Sequence, residues 1–156
     1  VSMGRYDFVP DVLKELGIEI KIHKVLMKPG RPIIFGMIGD KAFFGLPGNP
    51  VSVMVSFMQF VRPAILKMSG NNKIDKPLLK AKLNEKIIKK QGRKHFIRGI
   101  FTIKDSQFMV TTTGSQGSGV LSSMSAANCL IIVPEEVEIL NSGDYVDIQL
   151  IGHCEI

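Results

Sequence analysis

The spacing of apolar residues predicts a helix followed by a strand at the start of the chain. Residues 7–17 have the apolar spacing of a short helix, in which Pro10 suits the first turn and Gly17 is placed to end it. Residues 18–23 alternate isoleucine with polar residues, a period of two that is typical of a strand with one buried face. A helix followed directly by a strand predicts an α/β layer.

A β-hairpin and a sharp loop are predicted next. Residues 33–38 and 42–44 are β-rich and enclose a short segment with glycine, as in a tight hairpin. The loop Gly45–Pro50 contains two glycines and two prolines, so it cannot continue a strand. At its end, Asn49 is a favoured N-cap and Pro50 a favoured first helical residue.

The helix that begins at Pro50 is predicted to continue to about residue 69. Gly70 is placed to end this helix, and Pro63 predicts a bend late in it. Its apolar stripe is predicted to be core, and the residues at helical spacing are Met54, Phe57, Met58, Val61, Ile65 and Met68.

The pattern changes after the polar segment 69–76, and we place a domain boundary there. The first predicted domain is 1–73 and the second is 74–156. No long helical period follows, except for a short helix or turn near 122–127. Turn signals separate short extended segments and favour a small β-barrel or sandwich, and the segments are 79–83, 95–103, 108–113, 129–133 and 145–150.

Composition predicts a folded, soluble protein that attracts anions. The 156 residues are 45% hydrophobic and 22% charged, with a net charge of +6. Charged residues or glycine interrupt each apolar stretch, so we expect no membrane span, and the first residues do not have the pattern of a secretion signal. Cys129 and Cys154 are too few for a disulfide framework, which favours free thiols in a reducing cytoplasm.

Two segments of the first half could bind an anion. The loop Gly45–Pro50 leads into a helix N-terminus, where glycines allow close approach and unpaired N–H groups attract negative charge, although such loops also occur as plain turns. Lys28 and Arg31 flank Pro29-Gly30, so a rigid turn holds two cations, and we favour a binding role over a solvated loop.

Other candidate chemistry is less specific. Asp7 could hold Mg²⁺ together with substrate phosphate oxygens, but a single carboxylate near a turn is more often a helix cap or a surface charge. The basic run from Lys86 to Arg98, with Phe96 and Phe101 beside it, resembles single-strand nucleic-acid sites, although a solvated basic loop is the preferred interpretation.

The polar loop Gly114–Gly119 could hydrogen-bond a phosphate or a pterin, or it could only connect strands. The three histidines share no metal-ligand spacing, and we assign them no role.

Ordered motifs along the whole chain resemble the molybdopterin molybdotransferase (MoeA) family, which includes the E domain of gephyrin. In the first half they are Val1-Ser2-Met3-Gly4, Tyr6-Asp7-Phe8, Met27–Pro32 and Gly45–Ser52; in the second half they are Phe96–Gly99, Thr113–Gly119, Ser122-Ser123 and Ala127-Asn128. The resemblance implies the C-terminal half of a molybdopterin-binding, MogA-like α/β domain, followed by a small all-β, barrel-like domain.

The resemblance also implies an activity, the Mg²⁺-dependent insertion of molybdate into adenylylated molybdopterin with release of AMP. Asp7 would be the carboxylate tied to Mg²⁺ and catalysis, and Lys28 and Arg31 would neutralise molybdate or phosphate. The implied substrate-binding positions are Ser2, Gly4, Pro47, Gly48, Asn49, Pro50, Ser52, Arg98 and Ser118.

The resemblance implies that this chain is the C-terminal portion of a longer, homodimeric, cytoplasmic enzyme, and we expect the portion alone to be inactive. Two further hypotheses stay open. A non-catalytic scaffold would bind a protein partner without inserting molybdate, and a nucleic-acid-binding module would bind single strands with steep salt dependence.

Overall fold

The computed structural model describes residues 1, 4, 7–117 and 119–152. The chain divides into two compact units, Val1–Ile74 and Asp75–Ile156. Each unit has its own sheet and its own buried residues.

The first unit combines helices with a three-stranded antiparallel sheet, in which Ile34–Ile38 (β3) lies between Glu19–His23 (β1) and Lys41–Gly45 (β4). Ile38 pairs with Lys41, so a two-residue turn closes the predicted hairpin. The elements are α1 (Val9–Glu15), β1 (Glu19–His23), β2 (Met27–Lys28), β3 (Ile34–Ile38), β4 (Lys41–Gly45), α2 (Pro50–Ser56), a π-helical turn (Phe57–Val61) and α3 (Arg62–Met68).

The long helix changes its hydrogen-bonding pattern just before Pro63. The N–H of Arg62 donates to the carbonyl of Phe57, five residues earlier, and Pro63 lies in the first turn of α3. A proline inside a helix has no N–H and its ring crowds the carbonyl four residues before it, which accounts for a local interruption here. The interruption predicted near Pro63 is therefore a π-helical turn.

The prediction that the methionine and phenylalanine stripe is core is wrong for most of its members. Four of them are more than 40% exposed: Met54, Phe57, Ile65 and Met68. The buried face of α2 consists of Val51, Ser52, Val55 and Ser56, on which small side chains allow close packing. Hydrophobic spacing identified the helix but selected the wrong face.

The helical run Pro50–Met68 is long and apolar enough to cross a membrane when judged by length and composition alone. Core helices of soluble proteins pass the same test. The expectation that every apolar stretch is too interrupted for this is therefore wrong for this run, because Arg62 and Lys67 are its only charged residues.

The second unit is a closed barrel of five strands. The strands are hydrogen-bonded in the order Lys94–Lys104 (β7), Gln107–Thr112 (β8), Leu78–Leu83 (β5), Tyr145–Leu150 (β11) and Cys129–Val133 (β9), and β9 pairs again with β7. A closed barrel has no free sheet edges. The elements are β5 (Leu78–Leu83), β6 (Ile87–Ile88), β7 (Lys94–Lys104), β8 (Gln107–Thr112), α4 (Leu121–Ala126), β9 (Cys129–Val133), β10 (Ile139–Leu140) and β11 (Tyr145–Leu150).

The barrel interior is filled mainly by branched aliphatic side chains that face inward from its strands. The buried cluster is Ala81, Leu83, Ile87, Ile97, Val110, Cys129, Ile131, Val133, Val146 and Ile148. The fold class predicted from the sequence, an α/β part followed by a small β-barrel, is confirmed. The short paired strands β6 and β10 were not predicted.

Candidate functional site

The turn that contains Lys28 and Arg31 packs against helix α2. Gly30 is buried with φ +99°, and a β-carbon there would lie 2.5 Å from Ser56 Oγ and 3.5 Å from the Ser52 carbonyl. Only glycine fits this contact without strain. The Lys28–Pro29 peptide bond is cis, and both Lys28 and Arg31 have exposed side chains. Two solvent-accessible cations are thus attached to a turn that is fixed on α2.

The start of α2 has a complete N-cap. Asn49 Oδ1 accepts from the N–H of Val51 at 3.1 Å and of Ser52 at 3.5 Å, and the Asn49 carbonyl accepts from Val53 at 2.9 Å. Pro50 has no N–H to offer. The first-turn donors are therefore already engaged, and the expectation that this helix start has unpaired N–H groups is wrong. An anion here would gain from the helix dipole.

The loop before the cap combines a buried and an open residue. Pro47 is buried, whereas Gly48 is exposed and a β-carbon there would have no atom within 4 Å. Ser52 is 7% exposed, on the face of α2 that meets the Gly30 turn. Gly48 is thus the position of this loop where a ligand can approach the main chain.

Asp7 and Gly48 line the same cavity in the first unit. Its volume is about 440 Å³, and its other lining residues are Val1, Phe8, Val9, Val12 and Leu13. Asp7 Oδ1 also accepts the N–H of Val9 at 3.3 Å, so the helix-cap role weighed for this carboxylate is present together with access to the cavity. Gly4 is exposed nearby in the sequence, and Ser2 lies outside the described residues.

Asp7 is the one candidate that the sequence offered for a metal role. Within residues 1, 4, 7–117 and 119–152, no group of three or more His, Cys, Asp or Glu side chains could hold a metal ion. Mg²⁺ usually keeps several waters and binds one or two carboxylates plus substrate phosphates. A single carboxylate beside a cavity fits an ion that is shared with a phosphorylated substrate, and it does not fit a protein-only cage.

Arg98 is buried inside the second unit. The side chain is 1% exposed, and its Nε donates to Ser123 Oγ at 2.6 Å. Its Nη2 donates to the carbonyls of Ser115 at 3.2 Å and Gly117 at 3.1 Å. Burial lowers the pKa of Arg98 from its ordinary value, and the group stays a cation at neutral pH. Ser118, predicted with Arg98 as substrate-binding, lies outside the described residues.

Two further residues of this network belong to motifs that carried the family resemblance, but neither was predicted as a site residue. Ser123 links Arg98 to α4, and Gln116 hydrogen-bonds the main chain of Arg98. Neither residue belongs to a charge cluster or to a periodic pattern, so only a motif comparison could have indicated them.

The basic run considered for nucleic acid does not form a surface with accessible aromatic rings. Phe96 is 7% exposed, and Phe101 packs edge-on against Phe108 with centroids 5.3 Å apart. Lys89 is buried, and its Nζ donates to the carbonyls of Arg93 and Glu135 at 3.1 Å. The main chain of Glu135 and Glu138 therefore lies beside the basic run.

The two units correspond to two known domain families. Residues 1–67 match the probable molybdopterin binding domain, and residues 80–151 match the MoeA C-terminal region, domain IV. The fold and the matched domains thus define a protein of molybdenum cofactor biosynthesis.

The chain belongs to the MoeA family. It is 37% identical over 155 residues to a molybdopterin molybdenumtransferase of Haemophilus influenzae, covering 98% of this chain and 38% of the relative. It is 39% identical over 137 residues to the molybdenum cofactor synthesis protein cinnamon of Drosophila melanogaster, covering 86% of this chain and 22% of that protein.

The fold is also similar to a solved structure. The molybdopterin biosynthesis MoeA protein of Pyrococcus horikoshii matches with a TM-score of 0.69 and 35% identity, over 85% of this chain and 32% of that one. The chain thus spans 38% or less of these three proteins' lengths.

Proposed function

We propose that the full-length protein inserts molybdate into adenylylated molybdopterin in a Mg²⁺-dependent reaction that releases AMP. The observation that carries this proposal is the Gly30 turn, which holds the exposed cations Lys28 and Arg31 against α2. Molybdate and a phosphoanhydride are both anions, and fixed cations stabilise the charge that develops on them. Family membership supports the choice of these two anions.

Each candidate residue has a distinct task in this proposal. Lys28 and Arg31 neutralise molybdate or the substrate phosphate, and Arg31 can make a planar, bidentate contact. Gly48 allows close approach of the pterin phosphate or the adenylate to the main chain. Asp7 would hold Mg²⁺ from its place at the cavity, and the ion would neutralise phosphate charge there.

Release of AMP by the full-length protein tests this proposal. We expect Asp7→Asn to lower the rate of AMP release by about 100-fold or more, because a neutral amide holds Mg²⁺ much more weakly than a carboxylate does. Asp40→Asn is the matched control, since Asp40 is an exposed carboxylate in the hairpin turn. Equal rates for the wild type and Asp7→Asn would remove Asp7 from the mechanism.

The role of Lys28 can be tested by the dependence of the rate on molybdate concentration. Lys28→Gln should raise the molybdate concentration needed for half-maximal rate, while Lys41→Gln, at an exposed lysine of β4, should not. If both variants behave alike, then general charge and not the turn governs binding.

A homodimeric assembly and a cytoplasmic location are parts of the same proposal. The scaffold hypothesis makes a different prediction for the same assay. A full-length protein that binds a protein partner but releases no AMP would favour the scaffold.

A further inference from the structure

The loop between β8 and α4 is connected to Arg98 through the side chain of Gln116. Gln116 Oε1 accepts the N–H of Arg98 at 2.9 Å, and Gln116 Nε2 donates to the Arg98 carbonyl at 3.2 Å. The same nitrogen donates to the Gly114 carbonyl at 3.1 Å and to Thr113 Oγ1 at 3.3 Å. Both ends of the amide are therefore engaged within the second unit.

The side chain of Arg98 in turn donates hydrogen bonds to the main chain of the same loop. Its guanidinium donates to the carbonyls of Ser115 and Gly117, on either side of Gln116. The loop thus holds the Arg98 main chain, and the Arg98 side chain holds the loop. Within the described part of the chain, the hydrogen bonds of this guanidinium go to one hydroxyl and two carbonyls and to no carboxylate.

Burying the Arg98 guanidinium among neutral oxygens has a free-energy cost. Taking a cation out of water costs several kcal/mol, and neutral oxygens compensate for this less well than a carboxylate does. The loop also contains Gly114, with φ +81°, and Gly117, which have more conformational freedom to lose than other residues. Hydrogen bonds from the side chains of Arg98 and Gln116 therefore restrain a segment that would otherwise be flexible.

We propose that Gln116 is a positioning residue, which together with Arg98 holds residues 113–117 in one conformation before the substrate binds. Gln116 would act through the loop, because its amide oxygen and nitrogen are already hydrogen-bonded to the main chain of Arg98. The inference rests on the proposed function and adds to it that this loop contributes to binding adenylylated molybdopterin. A loop that is ordered in advance lowers the entropy lost on binding and so raises affinity.

Hydrogen exchange in the substrate-free, full-length protein tests the first half of this inference. Gln116→Met keeps the side-chain length but removes every hydrogen bond of the amide. We expect the amide of Arg98, whose acceptor is Gln116 Oε1, and that of Thr113 to exchange about tenfold faster or more. Gln107→Met, at an exposed glutamine, is the matched control. Unchanged exchange at Arg98 and Thr113 would show that Gln116 does not hold the loop in one conformation.

Steady-state kinetics test the second half. Gln116→Met should raise the KM for adenylylated molybdopterin about tenfold while kcat changes less than about twofold, because the lost order is needed for binding. Faster exchange with an unchanged KM would show a purely structural residue. A fall in kcat alone would indicate contact with the reacting atoms. Either result would overturn the positioning role.

A second variant keeps the inference testable if Gln116→Met does not fold. Gln116→Glu keeps an acceptor for the Arg98 N–H and loses the donors to Arg98, Gly114 and Thr113. We expect intermediate effects on exchange and on KM, with a cooperative thermal transition.

The wild type is assayed before the variants. Absence of AMP release from the wild type would refute the proposed function and the positioning role with it. The exchange data would still decide whether Gln116 and Arg98 hold the loop in one conformation.

Discussion

At the scale of single residues, Gly30 and Ser56 leave almost no space between them, since a β-carbon at Gly30 would lie 2.5 Å from Ser56 Oγ. Ser56 is fully buried, and within the described residues its hydroxyl has no hydrogen-bond partner. A buried hydroxyl without a partner costs free energy, so its presence indicates that close packing outweighs this cost. Space for the turn of Lys28 and Arg31 depends on the absence of a side chain at position 30.

Gly30→Ala should destabilise the first unit by at least about 2 kcal/mol, because φ +99° is strained for alanine and its methyl group would collide with Ser56. Urea denaturation measures the loss. Gly48→Ala is the matched control, since its site is open and its φ is not positive, and its stability should change little. Equal stability of the two variants would contradict the packing described here.

Glu85 makes the stability of the second unit dependent on pH. The pKa of Glu85 is lowered from its ordinary value of 4.5, mainly because the Thr111 hydroxyl donates a hydrogen bond to Glu85 Oε1 at 2.6 Å. Burial raises this pKa and so opposes the effect, whereas the hydrogen bond from the Thr112 N–H lowers it further. A carboxylate whose pKa is lower in the folded state stabilises that state above the unfolded pKa, and this contribution disappears as pH falls through the folded value.

Thermal unfolding between about pH 6 and pH 3 checks this dependence. We expect the wild type to lose more stability across this range than Glu85→Gln does, because the variant has no carboxylate to protonate at this position. Glu136→Gln, at an exposed glutamate, should follow the wild type. Identical pH profiles for wild type and Glu85→Gln would show that Thr111 contributes nothing.

At the scale of elements, the N-cap of α2 fixes where the Gly45–Pro50 loop ends. Replacing Asn49 by alanine removes the acceptor of two main-chain N–H groups and should cost about 1 kcal/mol. Asn72→Ala, at an exposed asparagine in the turn after α3, is the control for denaturation. A loss for Asn49→Ala no greater than that of the control would mean that the cap does not determine the helix start.

Most elements could be predicted because each is encoded by local spacing. The alternating isoleucines predicted β1, and Pro10 and Gly17 predicted the ends of α1 approximately. The spacing of apolar residues did not predict which face of the long helix is buried. Both faces carry apolar residues, and two small serines lie on the buried one. The burial of Arg98 was also missed, since its partners lie 17 to 25 residues away in sequence.

At the scale of the whole molecule, buried and exposed apolar side chains are divided unequally between the units. Among the described residues, the buried apolar side chains of the first unit are Leu13, Met27, Ile33, Ile34, Val51 and Val55. The barrel contains about twice as many. Since burial of apolar surface is the main favourable term in folding, the barrel is expected to be the more stable unit.

Residues 75–152 expressed alone should therefore unfold in one cooperative transition, whereas residues 1–74 alone should bind a hydrophobic dye such as ANS and unfold at lower temperature. Among its described residues, the first unit exposes ten large apolar side chains, which are Phe8, Val12, Leu16, Ile22, Leu26, Ile38, Met54, Phe57, Ile65 and Met68. Calorimetry of the two pieces beside the 156-residue chain measures the difference. A first unit that melts above the barrel would contradict this order, and it would mean that packing around the Gly30 turn contributes more than buried area indicates.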